Sequence, residues 1–264
     1  MEEPAKTSTA GEAVTCDGFL DNQIQVLQPA KGGHRSGLDA IFLAATVPPD
    51  AAGKVCDLGA GSGVAGLAVL ARNASLTVDL VENNATMIAL GEQSLGLEHN
   101  APFAGRARVL PCDVLARGAD RAAAGLHDNA YDHVITNPPY NDQSFQRSPQ
   151  SDRAMAHSFD GDMLVRWCRT ACAITRSGGR FSCIVRPGLL HAVLEAMHGR
   201  FGAIRILPLH PSADKPASRV LIGAIRGSAT ALEILPGLVL HEASGGFTST
   251  ADDVLRGRTS ISLF

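Results

Sequence analysis

Between residues 54 and 136, four short apolar runs alternate with longer stretches whose apolar residues recur every three to four positions. The runs at 54–58, 76–81, 106–110 and 131–136 read as buried strands, and 64–71, 85–97 and 117–126 as the helices between them. Strands and helices alternating at this spacing predict an α/β fold built on a doubly wound, mostly parallel sheet. Ligands of such a sheet bind beyond the carboxyl ends of its strands.

The pattern changes downstream. Residues 141–157 are polar, carry a proline and show no period, as expected of a mobile loop facing a substrate. A helix follows at 163–175, with Trp167 on its apolar face and assigned to packing, then Gly178-Gly179 introduces a strand at 180–185 and a helix at 189–197. Strands at 203–209 and 219–225 are joined by too few residues for a crossover helix, so they are predicted to pair antiparallel. The tail 227–264 adds a short apolar run and a capped helix after Ser249. At the other end, 1–15 is small and polar and is expected to lack structure, and 21–29 alternates weakly as a short extended segment. A helix over 38–45 follows a flexible basic loop at 32–37. No repeat or linker divides the chain, so 16–264 is read as one domain, with 16–53 an N-terminal extension.

Composition narrows the class without changing this picture. The chain has 264 residues, 45% hydrophobic and 19% charged, enough to bury a sizeable core. No apolar run approaches the roughly 18 residues of a membrane span, and Met1-Glu2-Glu3 is acidic where a signal peptide is basic, so the expected location is the cytoplasm. Six cysteines form no Cys-x-x-Cys pair and no zinc-ligand spacing with the histidines; all six are expected to be free thiols packed in the core, and no metal is expected.

Charge is divided by position. Residues 1–140 hold 9 Lys+Arg against 16 Asp+Glu, whereas 141–226 hold 12 against 6, almost all of them arginine. An arginine excess beginning directly after Tyr140 suits a phosphate-bearing partner. Arginines that merely solvate helix faces are the plainer alternative.

Candidate chemistry falls at the predicted strand ends. Asp57-Leu58-Gly59-Ala60-Gly61-Ser62-Gly63 lies between the first strand and first helix, where glycines let a ligand approach the backbone. Gly61 to Gly66 also matches Gly-x-Gly-x-x-Gly, which keeps a nicotinamide enzyme in play. Asp57 would repel a pyrophosphate but can take the ammonium of an amino acid, such as S-adenosylmethionine presents. Glu82 ends the second strand and can accept from both ribose hydroxyls; Asp113 follows the third and can accept from an adenine amine. Their neighbours Asn83 and Val114 are counted with them, as are Gly59, Ala60, Gly61 and Gly63, and Arg35 is assigned to a carboxylate at the start of the 38–45 helix, ordinary loop surface being the alternative for it and for His34.

The fourth strand runs into Asn137-Pro138-Pro139-Tyr140. Two prolines fix φ and remove two backbone donors, so this corner offers acceptors. The Asn137 side-chain oxygen and the Pro138 carbonyl can take both hydrogens of an exocyclic –NH2, and Tyr140 can stack on the plane that carries it. An Asn-Pro turn with no chemistry is the alternative.

Taken together, the chain resembles the class I S-adenosylmethionine-dependent methyltransferases, in which Asp57 to Gly63, Glu82, Asp113 and Asn137 to Tyr140 stand as successive motifs. Gly33-His34-Arg35-Ser36-Gly37-Leu38-Asp39-Ala40 and Lys215-Pro216-Ala217-Ser218-Arg219-Val220-Leu221 are similar to the bacterial family that methylates the adenine amino group beside the anticodon of a valine tRNA. The resemblance implies a Rossmann-like fold, S-adenosylmethionine as donor and tRNA as substrate, with His34, Arg147, Arg153, Lys215 and Arg219 on the RNA side. Release-factor glutamine methyltransferases also carry Asn-Pro-Pro-Tyr but usually have a longer helical region ahead of the first motif. Ribosomal RNA, DNA or small-molecule acceptors, and a non-catalytic RNA-binding module, stay open.

Overall fold

Strand β3 (Gly53–Leu58) sends alternate residues to opposite faces of its sheet. Val55 joins a core with Leu67, Leu70, Val78 and Leu80, whereas Cys56 and Leu58 join a second core with Val134, Trp167 and Ala171. The computed structural model describes residues 13–30, 37–139 and 151–264, except for the side chains of 151–161.

The predicted alternation is present: β3, α2 (Val64–Arg72), β4 (Leu76–Glu82), α3 (Ala85–Leu95), β5 (Ala107–Pro111), α5 (Gly118–Ala123) and β6 (Tyr131–Thr136). The short α4 (Ala101–Ala104) precedes β5, and α1 (Leu38–Ala44) precedes β3. After β6 come α6 (Ser151–Ile174), β7 (Thr175–Val185), α7 (Leu190–Met197), β8 (Phe201–His210), β9 (Arg219–Arg226), β10 (Glu233–Ile234), β11 (Leu238–Val239) and α8 (Ser249–Leu255). Among the described residues the sheet has nine strands, ordered β10-β8-β9-β7-β6-β3-β4-β5 with β11 also beside β8. β9 pairs antiparallel with both β7 and β8, and the strands from β7 to β5 run parallel. The chain therefore steps outward from β3 to β5, then returns to the other side of β3 to lay down β6. That reversal opens a crevice at the carboxyl ends of β3 and β6, where a doubly wound sheet binds ligands.

Several boundaries differ from those read in the sequence. A strand β1 (Val14–Phe19) begins inside the segment expected to lack structure, and pairs antiparallel with β2 (Ile24–Pro29) as a separate hairpin. Its polar Thr-Cys-Asp-Gly run hid it, and its turn takes positive φ at Leu20, Asp21 and Asn22 without a glycine. Helix α6 starts at Ser151, so 151–157 is helical rather than loop; beyond Pro149 the run Arg153-Ala154-Met155-Ala156 is made of good helix formers. Strand β7 begins at Thr175, before Gly178-Gly179, and its pairing with β6 shifts register between Tyr131 and His133, so the glycines lie within an irregular strand instead of ahead of it. Helix α5 is shorter than the predicted 117–126. Five cysteines are buried as expected, but Cys16 is exposed on the hairpin.

Candidate functional site

The turn leaving β3 is shaped by what stands against it. Gly59 has φ of 77°, and a Cβ there would sit 2.5 Å from Cζ2 of Trp167. Gly66, in the first turn of α2, has the Leu80 side chain and the Asp57 carboxylate where a Cβ would go, at 2.2 and 3.2 Å. With that space clear, the Gly66 N–H donates to Asp57 Oδ2 at 2.8 Å. Asp57 is only 2% exposed. Burial, with a smaller push from the nearby Glu82 charge, lifts its carboxyl to about 7 against the opposing pull of the Gly66 N–H.

Glu82, the last residue of β4, gathers three backbone donors. Oε2 accepts from the Gly61 N–H at 2.8 Å, and Oε1 from the Asn83 and Asn84 N–H groups at 2.9 Å each. Asn84 then caps α3, its Oδ1 accepting from Thr86 and Met87. Beyond β5, Asp113 Oδ1 accepts from the Leu115 N–H at 2.8 Å. Beyond β6, Asn137 is half-buried, Pro138 buried and Pro139 exposed.

These residues surround one cavity of about 510 Å³. Of the residues proposed from sequence, Asp57, Gly59, Ala60, Gly61, Glu82, Asn83, Asp113, Asn137 and Pro139 line it. Gly63 instead starts α2 in the left-handed region at φ 92°, packed on Leu80. Val114 is buried, its carbonyl accepting from the Thr170 hydroxyl at 2.8 Å, and neither it nor Pro138 is among the lining residues. His34, Arg35, Tyr140 and Arg147 lie outside the described residues, and Arg153 stands on α6 with its side chain outside the description. Lys215 and Arg219 lie on the β8–β9 hairpin and are not among the lining residues. Lys215 Nζ is 3.8 Å from Asp214, and Arg219 Nε donates to Asp39 Oδ2 at 2.7 Å, in the first turn of α1.

The lining also includes Ala40, Ala65, Asn84, Met87, Leu115, Met163 and Trp167, which were not proposed from sequence. Trp167 does pack, as its apolar spacing suggested, but its indole also walls the cavity and donates to the Thr136 hydroxyl at 2.9 Å. An Asn directly after Glu82-Asn83 and ahead of an apolar helix was a readable cap signal for Asn84.

A buried acid, a carboxylate held by three N–H groups and a third carboxylate along one cleft suit a ligand with an ammonium, a diol and an aromatic amine. Among the described residues no group of three or more His, Cys, Asp or Glu side chains is placed to hold a metal, and no helix is long and apolar enough to cross a membrane.

The methyltransferase small domain family matches residues 37–159. A crystal structure of a predicted O-methyltransferase from Agrobacterium tumefaciens is 37% identical, covers 85% of this chain and 98% of its own, and superposes with a TM-score of 0.74. A Shewanella baltica tRNA1(Val) (adenine(37)-N6)-methyltransferase is 27% identical over 228 residues, 85% of this chain and 91% of that protein. A Pedobacter heparinus protein of the same name is 27% identical over 191 residues, 71% and 76% of the two chains. The chain belongs to the S-adenosylmethionine-dependent methyltransferases.

Proposed function

We propose that the protein transfers the methyl group of S-adenosylmethionine to an exocyclic amine, the N6 of an adenine beside the anticodon of a valine tRNA. The observation that carries this reading is Asn137 in the wall of the same cavity as Asp57, Glu82 and Asp113, directly after the strand that pairs with β3. The donor, when bound, supplies a methyl carbon made electrophilic by its sulfonium. Asp57 takes the ammonium, Glu82 the ribose hydroxyls beside its backbone donors, and Asp113 the adenine amine through the oxygen not given to Leu115. Arg35 takes the donor carboxylate.

At the acceptor side the chain provides position more than proton chemistry. Asn137 and the Pro138 carbonyl accept the two hydrogens of the amine and turn its lone pair toward the methyl carbon; Tyr140 stacks on the base for roughly 1–3 kcal/mol. The amine nitrogen becomes acidic only as it gains the methyl, so no strong base is needed. An oxygen acceptor, as in the name of the Agrobacterium protein, has one hydrogen to give and needs a base. The carboxylates that line this cleft each hold backbone N–H groups on the donor side. His34, Arg147, Arg153 and Lys215 hold the RNA backbone, and Arg219 steadies the hairpin through Asp39.

The names of the Shewanella and Pedobacter relatives support the tRNA acceptor, and the arginine excess of 141–226 supports a polyanion. Incubating the protein with labelled donor and, separately, tRNA from cells lacking the gene, ribosomal RNA, DNA and release factor tests it. Label confined to tRNA and recovered as N6-methyladenosine is expected. Label in release factor or DNA alone would replace the acceptor.

A further inference from the structure

Backbone pairing between β3 and β6 runs through Val55 with His133, Cys56 with Val134 and Asp57 with Ile135. The next step would join Leu58 to Thr136, and there a side chain takes over: the Thr136 hydroxyl, fully buried, donates to the Leu58 carbonyl at 2.6 Å. One residue further on, the two strands part. One becomes the glycine turn at Gly59 and the other the corner at Asn137, so among the described residues this hydroxyl is the last hydrogen bond from one strand to the other before they separate.

The same oxygen accepts the indole N–H of Trp167 at 2.9 Å. Trp167 arrives from α6 on the far face of the sheet, is 7% exposed, and presses its ring edge on Gly59 so closely that a Cβ there would meet both Cζ2 and Cη2 within 3 Å. A single rigid side chain thus touches the glycine turn with carbon and the root of the Asn137 corner with a hydrogen bond. A phenylalanine could not donate and lacks the Cζ2 and Cη2 atoms that lie over Gly59, and a buried indole N–H takes a partner where one is within reach.

We propose that Trp167, acting through Thr136, is a positioning residue that sets the separation between the donor-binding glycine turn and the Asn137 corner. This rests on the amine-methylating reading of the site. In-line transfer tolerates little error in that separation, because a displacement of about 1 Å at the reacting atoms costs on the order of 10²-fold in rate.

Three variants test it: Thr136→Val, which removes the shared oxygen at nearly constant shape, Thr136→Ser, which restores it, and Trp167→Phe, which removes the donor together with the ring atoms that press on Gly59. With tRNA from cells lacking the gene, Thr136→Val is expected to lower kcat by about 100-fold and Trp167→Phe by about 10-fold. KM for tRNA and the Kd for S-adenosylhomocysteine should stay within about threefold, and Thr136→Ser should return kcat to near wild type. Crystal structures with S-adenosylhomocysteine should show Asn137 displaced from Gly59 in Thr136→Val and in place in Thr136→Ser. A variant that melts earlier but keeps kcat and the position of Asn137 gives Trp167 a packing role alone and overturns the proposal. If the wild type methylates no tRNA, the acceptor reading fails. The crystallographic arm then decides this inference by itself, an unmoved Asn137 being the result against it.

Discussion

The Glu82 carboxylate accepts the Gly61 N–H at 2.8 Å, which ties the end of β4 to the middle of the glycine turn that leaves β3. The residue proposed to hold the ribose of the donor therefore also holds the shape of the loop proposed to receive the rest of it. Asn83 and Asn84 add their N–H groups to the other oxygen, so the carboxylate is oriented before any ligand arrives.

Glu82→Ala should accordingly weaken S-adenosylhomocysteine binding by more than the loss of two ribose hydrogen bonds would. Hydrogen bonds to a charged group contribute about 1.5–3 kcal/mol each, so a loss in affinity of at least about 100-fold is expected by calorimetry, with a fall in Tm. An affinity within threefold of wild type would place the ribose elsewhere.

Two buried groups make the stability depend on pH in opposite senses. His133, 2% exposed, is held down to about 3 by burial and by the Arg180 charge, against an ordinary value of 6.5. The unfolded chain then binds the extra proton, so this group's contribution to stability rises with pH from about 3 to 6.5. Asp57 is lifted from 3.8 to about 7, so there the folded chain binds the extra proton and stability falls as pH rises through that window. Asp57→Asn removes the second effect alone. In urea unfolding between pH 4.5 and 6.5, the stability of the variant relative to wild type should climb by about 1.4 kcal/mol per pH unit. Parallel profiles would mean that Asp57 is ionised throughout.

Donor affinity should carry the same signature. An incoming ammonium favours the ionised Asp57, so binding below pH 7 must expel a proton. Calorimetry of S-adenosylhomocysteine at pH 6 in buffers of different ionisation enthalpy should detect a release of close to one proton per site. None released would separate Asp57 from the ammonium.

The Arg219–Asp39 pair joins the β8–β9 hairpin to the start of α1, with both side chains 29% exposed. A double-mutant cycle should give a coupling of at most about 1 kcal/mol, as for partly exposed pairs. Arg147→Ala with Arg153→Ala should act differently, lowering RNA affinity and flattening its salt dependence by about one unit of slope for each phosphate no longer neutralised. An unchanged slope would take both arginines away from the RNA.

Much of the site was readable because a parallel sheet puts every strand end on one edge. Asp57, Glu82, Asp113 and Asn137 are far apart in sequence, yet each lies at or just beyond the carboxyl end of an apolar run, which brings them to one cavity. Side chains arriving from helices were not readable. Trp167 and Met163 sit at apolar helical positions, and that spacing does not distinguish a core residue from a cavity wall. Gly63 and Val114, proposed from motif position, are not among the lining residues; Gly63 packs on Leu80 and the Val114 carbonyl accepts from the Thr170 hydroxyl. The β1–β2 hairpin escaped because its turn bends at Leu20, Asp21 and Asn22, without the glycine that usually marks such a reversal.

Methyl transfer by Asn137→Ala, measured at saturating donor beside its affinity for S-adenosylhomocysteine, tests the central claim most directly. If Asn137 serves the acceptor amine, product affinity stays within about twofold while transfer to tRNA falls by about 10²–10³-fold, the usual cost of removing one preorganised hydrogen-bonding group from a transition state. Equal losses of binding and transfer, or transfer at the wild-type rate, would contradict it.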